Sequence, residues 1–561
     1  MTATKLHNTQ LVRRHAVAIF AWMTLALTSL PVHAQSVGAS TFAQAAARAT
    51  TTASQGFARR AALGQLYGAA ARPLWTANGR PTRQALAVIG VLGGVATRGL
   101  EPRDYDSARL AAMASALDAP ADSTRLAGFD VALSRSVIQL LGDLHEGRTD
   151  PRKLGFNIPA SHHDLDLAAM TTSVSTAADP NLVITSAEPL YTGYRALKAT
   201  LARYRTLAAD TSLTSLPPAS GTLRAGDPYA GAESLRRLFV ALGDMSTSAA
   251  ASDAALGATY TPTLAAAVAA FQTRHGLTPD SAAGPATMRA LRVPLAHRVE
   301  QIQLTLERWR WLPDTVPARY AVVNIPGFRL YLFENDRYAS MPRIRMNVIV
   351  GRAGRSRATP IFTGMMNEVV MRPYWDVPSS IARNELIPAA RSRPGYMAAQ
   401  NLEIVSGGDV GARIYPPTSA NLSRVASGAL RIRQRPGPDN SLGLVKFLFP
   451  NEYNVYLHDT PARTLFSQSQ RDFSHGCIRV QDPLSLAEFV LGGQDGWNRA
   501  SIDSTMHGTK TVRVTLSRPV AVYILYQTAI VAPEGTVYFY DDLYGHDAKL
   551  AQKLARDRPA S

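Results

Sequence analysis

Phe473-Ser474-His475-Gly476-Cys477-Ile478-Arg479-Val480 holds the single cysteine of the 561-residue chain. A thiol acts as a nucleophile only as thiolate, and an unperturbed thiol with a pKa near 8.5 is mostly protonated at neutral pH. It therefore needs a base to take its proton and fixed N–H donors for the oxyanion that forms on attack. Gly476 allows a tight bend, so that the N–H groups of Gly476 and Cys477, joined by that of His475, would point into one pocket. Two imidazoles compete as base. His475 stands two positions before Cys477. His458 stands nineteen before it, at the end of Tyr453-Asn454-Val455-Tyr456-Leu457-His458, which reads as a strand. A buried, inert thiol is the bland alternative. A zinc site from His458, His475 and Cys477 fits chemically, but its spacing matches no common pattern and a fourth ligand is not evident.

Outward from this stretch the chain is β-rich. Tyr320–Phe333, Met346–Gly351, Phe362–Met371 and Val445–Leu457 are rich in Val, Ile, Leu, Tyr and Phe and are broken by Asn, Pro and Gly. They predict a mostly β domain over 315–530. Its Ser/Gly/Pro-rich insertion, about 378–430, has short helical pieces, and a segment this long inside a domain is usually a lid or an insertion. A C-terminal strand and helix fill 531–561.

Upstream the pattern is helical. Residues 35–225 read as a flexible leader and a helical scaffold, in which Leu133–Leu144 has helical spacing and stops at Gly147. In 226–298, Thr261 caps a helix that starts at Pro262 and ends at Gly276, with Val268 and Phe271 facing a small core. The fold class is therefore α+β multidomain.

Lys5, Arg13 and Arg14 precede an apolar run from Ala16 to about Leu30, and Val32-His33-Ala34 completes a secretory signal over 1–34. Export to the periplasm is expected, with membrane attachment only if the signal stays uncleaved. The net charge of +17 favours anionic surroundings, although Arg-rich and Ala-rich composition is equally expected of a GC-rich genome. For an exported chain the cell wall replaces nucleic acid as the anionic partner. A lone cysteine in an oxidising compartment has no disulfide partner within its own chain.

His458 followed by Ser474-His475-Gly476-Cys477 resembles the signature of the L,D-transpeptidase (YkuD-type) catalytic domain. Glu307-Arg308-Trp309-Arg310-Trp311-Leu312-Pro313, Pro373-Tyr374-Trp375-Asp376-Val377-Pro378 and Arg433-Gln434-Arg435-Pro436-Gly437-Pro438 are similar to further motifs of its large Gram-negative members. Gly147-Arg148-x-Asp150-Pro151 resembles their scaffold domain. Ala267-Val268-x-x-Phe271-Gln272-x-x-His275-Gly276-Leu277, with Asp280 and Gly284, resembles a peptidoglycan-binding domain. The resemblance implies a cysteine acyltransferase with Cys477 as nucleophile and His458 as general base. The backbone of His475, Gly476 and Cys477 would form the oxyanion hole, and Arg479, Tyr456, Trp375 and Ser474 would contact substrate or order its pocket. It implies no cofactor and no metal. Its partners would be a tetrapeptide stem as donor, a diaminopimelate amine as acceptor and carbapenems as covalent inhibitors. A hydrolase, a lipoprotein-to-wall ligase or hydrolase, and a non-catalytic wall-binding protein remain as alternatives.

Overall fold

The computed structural model describes residues 41–48, 57–68, 72–117, 122–159, 165–336, 339–354, 357–408 and 411–556. The signal over 1–34 and part of the expected leader lie outside these residues. No described helix is long and apolar enough to cross a membrane.

The scaffold centres on the helix Ser123–Glu146. Asp122 caps its start by accepting from the N–H groups of Thr124 and Arg125. Gly147, at φ 84°, ends it in a backbone conformation that suits glycine. Phe129, Leu133, Val137, Leu140 and Leu144 recur at helical spacing and are fully buried, packing against Trp75, Val88 and Leu92. The small helical domain starts its helix Pro262–Arg274 at the Thr261 cap, whose hydroxyl accepts from the Leu264 N–H at 3.1 Å. Gln272 then ties three parts of that domain together, donating to Asp280, the Ala282 carbonyl and Thr287 at 2.8, 3.0 and 3.0 Å. Helix Leu295–Arg310 packs along helix Thr192–Ala208 and delivers the chain to the β domain.

Eight strands close a barrel: β1 Arg319–Asn324, β2 Arg329–Glu334, β3 Ile344–Ile349, β4 Phe362–Met371, β5 Val445–Leu448, β6 Leu457–His458, β7 Ile478–Val480 and β8 Val512–Leu525. Their order around the barrel is β5-β6-β7-β3-β2-β1-β8-β4, and β4 pairs back onto β5. The pairs β1–β8 and β6–β7 are parallel and the rest antiparallel. Closure leaves no free sheet edge. Ala321 faces Leu332 and Val323 faces Leu330, all fully buried, so one face of these strands forms the interior. A single apolar core runs from the barrel through the helix Leu295–Arg310 into the small helical domain.

The insertion expected as a lid with short helical pieces, the cap, also carries a sheet of its own. Trp375–Asp376, Arg431–Gln434, Leu402–Ser406 and Arg413–Tyr415 pair in that order, all antiparallel. A separate core of Val377, Ile387, Met397, Ile404, Val425 and Ile432 sits beneath them. Strands of two to five residues are too short to show alternation, and their pairing is non-local. The cap's two flanking strands also lie at and beyond the limits expected for the insertion.

Candidate active site

Strand β6 lies parallel to β7, with Leu457 opposite Ile478 and His458 opposite Arg479. Successive strand residues point to opposite faces. Leu457 and Ile478 are fully buried in the barrel, which turns Tyr456, His458, Cys477 and Arg479 together to its outer face. Lys446 of β5 stands opposite His458 and joins them. The cap closes over this face. Lys446 Nζ reaches the Tyr374 carbonyl at 3.5 Å, and Tyr456 hydrogen-bonds the Trp375 side chain.

The expected continuous strand from Val445 to Leu457 is interrupted. Pro450 follows β5, and Asn451 organises a turn by accepting from the N–H groups of Tyr453 and Val455 at 3.0 and 3.1 Å. Asn454, at φ 53°, occupies the left-handed region. This turn aims the Asn454 carbonyl at the Cys477 Sγ, 3.7 Å away. Tyr456 contributes hydrogen bonds to the same sulfur from its backbone and its side chain.

Cys477 is a half-buried free thiol. Burial raises its pKa, against the hydrogen bonds from Tyr456 and the charges of Arg479 and Lys446. His458 is buried, and its Nδ1 contacts the Asp459 carbonyl at 2.6 Å. That carbonyl is an acceptor, so it fixes the tautomer with Nδ1–H and frees Nε2 as the basic nitrogen. Burial, helped by Arg479 and Lys446, pushes the His458 pKa down to about 3. At neutral pH Cys477 is thus a neutral thiol and His458 a neutral imidazole. Thiolate accumulates as pH rises towards the elevated thiol pKa, while His458 stays unprotonated across the whole neutral range. Alkylation of Cys477 is therefore expected to accelerate continuously from about pH 6 to about pH 9. A rate that is flat over that range, read by mass spectrometry, would instead indicate a preformed thiolate–imidazolium pair.

The turn that carries Cys477 is held from below. Gly476 sits at φ 123°, where a side chain would be strained although its Cβ would meet only the Arg357 carbonyl oxygen, at an ordinary 3.9 Å. Ser474 Oγ accepts from the Gly476 N–H at 3.2 Å and donates to the Cys477 carbonyl at 2.5 Å. The Gly476 N–H is therefore engaged, whereas those of His475 and Cys477 meet no acceptor among the described residues. Buried Thr359 donates to the Gly476 carbonyl and accepts from the Gly351 N–H, both at 2.8 Å. The Tyr544 hydroxyl, from the C-terminal segment, donates to the Gly351 carbonyl. A Cβ at Gly351 would lie 2.0 Å from the Arg357 carbonyl oxygen, so this crossing admits only glycine.

His475 points elsewhere: its Nε2 contacts Glu385 of the cap at 2.8 Å, and Glu385 also pairs with Arg357 at 3.0 Å. Half-buried Arg479 has no carboxylate partner among the described residues, and its Nε is unsatisfied. Asp459, Thr359, Tyr544, Lys446 and Glu385 were not marked by the sequence reading. Only Asp459 carried a local signal, its place beside His458.

Comparison with known proteins agrees with this architecture. Residues 318–516 match the L,D-transpeptidase catalytic domain, 61–201 a scaffold domain and 240–291 a "Putative peptidoglycan binding domain". The barrel with its cap is the part of the chain that is similar to an L,D-transpeptidase catalytic domain. The chain is also 29% identical over 252 residues to a "Putative L,D-transpeptidase" of Haemophilus influenzae, covering 45% of this chain and 49% of that protein. The chain thus spans about half the length of the curated relative it matches. The matches to a transpeptidase catalytic domain and to a peptidoglycan-binding type of domain point to a cell-wall-associated protein.

Proposed function

We propose that this protein forms 3→3 crosslinks between peptidoglycan stem peptides through a thioester on Cys477. The observation that carries this reading is the convergence of Tyr456, His458, Cys477 and Arg479 on one barrel face beneath the cap. Cys477 Sγ attacks the carbonyl of the third residue, diaminopimelate, of a tetrapeptide stem, and His458 Nε2 takes the thiol proton. The oxyanion is met by the N–H groups of His475 and Cys477, with Gly476 N–H joining if Ser474 releases it. Collapse expels the terminal D-Ala, whose nitrogen takes the proton from His458. The side-chain amine of a second stem then attacks the thioester, loses a proton to His458 and restores the thiol. Arg479 receives a substrate carboxylate as a bidentate partner, a reading supported by its charge acting on Cys477 and by its lack of a carboxylate partner among the described residues. Tyr456 and Trp375 wall the pocket. The reading includes export by the segment 1–34, action in the periplasm and acylation of Cys477 by carbapenems.

The test is incubation of the purified protein with disaccharide-tetrapeptide, followed by mass analysis. A dimer that has lost one D-Ala, linked 3→3, is the expected product. Tripeptide alone would mean that water replaces the amine and the enzyme is a hydrolase. Unchanged substrate would overturn the reading in favour of a wall-binding protein.

A further inference from the structure

A cavity of about 1040 Å³ lies among the described residues and does not contain Cys477. It lies where the small helical domain, the barrel flank and the C-terminal hairpin meet. Its floor is the outer face of β8, β1, β2 and β3, where register aligns Tyr523, Val322, Tyr331 and Arg345 in one row and Leu525, Asn324, Arg329 and Asn347 in the next. Its roof comes from Leu277, Pro279 and Arg289 of the small domain. Its side is the hairpin Ala529–Val531/Val537–Phe539 with Tyr538 and Tyr540, whose rings lie 6.3 Å apart at 25°.

These walls are fixed to one another. Phe539 stacks on His275 of the small domain at 5.9 Å and lies under the Arg298 guanidinium at 5.1 Å. Gln301 Nε2 donates to the Tyr540 carbonyl at 3.1 Å. Gly327 leaves room for Tyr540, since a Cβ there would come within 2.9 Å of its ring. Arg471, also in the lining, is occupied by the carbonyls of Val348 and Phe328, both at 3.3 Å.

Three other guanidinium groups in the lining, on Arg289, Arg329 and Arg345, have no carboxylate partner among the described residues. The acidic neighbours are Asp541 on the lining and Glu534 in the hairpin turn. Unpaired guanidinium groups bind carboxylates, and tyrosine faces provide flat apolar surface for sugar rings. The volume exceeds what a drug-sized ligand needs, which is at most about 1,000 Å³.

We propose that this cavity is a second binding site, for a carboxylate-bearing glycopeptide, formed jointly by the small domain and the barrel flank. The identity of that ligand as a muropeptide rests on the function proposed above. The site holds a wall strand away from Cys477, so that the enzyme stays on the polymer between turnovers.

The experiment uses the full-length chain acylated at Cys477 by a carbapenem, so that the active site is filled. Disaccharide-tetrapeptide is titrated into it by calorimetry, and into R329Q/R345Q and Y538A chains treated in the same way. The acylated parent is expected to bind one equivalent, more weakly as salt rises. R329Q/R345Q should lose about tenfold or more in affinity while its Cys477 is acylated at the parent rate, which shows that the variant is folded. No binding to the acylated parent, or parent affinity in both variants, overturns the proposal. If Cys477 resists acylation, the functional reading fails instead, and the same comparison on unmodified chains still decides the cavity.

Discussion

Cys477→Ala is expected to abolish both the carbapenem adduct and the crosslinked product. His458→Ala should slow adduct formation by about a hundredfold to ten-thousandfold, the usual worth of a positioned general base. The two losses differ in kind. Without sulfur no thioester forms at any pH. Without the imidazole the thiol is still present, but its proton must leave to water, and burial has already raised the thiol pKa. Raising the pH should therefore rescue His458→Ala partly and Cys477→Ala not at all. His475→Ala provides the control. Its Nε2 is engaged with Glu385, so losing the ring should disturb the contact with the cap while leaving the proton acceptor in place. Intact-mass time courses on the three variants separate these outcomes. A His475→Ala defect equal to that of His458→Ala would reverse the assignment of the base.

What the sequence made legible follows from how local each signal is. The helix Pro262–Arg274 could be read because its start signal, Thr261-Pro262, and its stop, at Gly276, lie within one short stretch. The turn around Cys477 is equally local, with Ser474, Gly476 and Cys477 bonded among themselves. The residues that hold the turn are not local. Thr359 and Tyr544 come from distant parts of the chain, and a threonine or tyrosine in a loop carries no periodic signature. The cap sheet was missed for the same reason, since Arg431–Gln434 finds its partners across a long insertion. The cavity between the small domain and the barrel was invisible because each wall looks like ordinary surface until the domains are docked. Glu307 and Arg310 were visible as a motif but not as a pair, because what they bind lies in the scaffold.

Glu307→Ala is expected to destabilise the protein by about 3–5 kcal/mol, the usual cost of leaving one partner of a buried ion pair alone. Glu307 and Arg310 are both fully buried on one helix, with Arg310 Nη1 at 3.1 Å from Glu307 Oε2. Glu307 also accepts from the Arg148 backbone N–H at 2.5 Å and from its Nε at 3.3 Å. Arg310 donates to the Arg98 carbonyl at 2.5 Å and to the Tyr194 hydroxyl at 3.2 Å. The pair therefore pins three scaffold segments to the helix that enters the barrel. Gly147 belongs to the same joint, because a Cβ there would sit 2.9 Å from Glu307 Oε1 and 2.7 Å from Trp311 Nε1. Glu307→Gln keeps an acceptor for the Arg148 N–H but leaves the Arg310 charge uncompensated, so it should fall between the parent and Glu307→Ala. The double variant Glu307→Leu with Arg310→Leu removes both charges and should be less destabilised than the two single Leu variants combined. Denaturant titrations of the four chains measure the coupling. Strict additivity would mean that the scaffold is held by its apolar contacts alone and that the buried charges are bystanders.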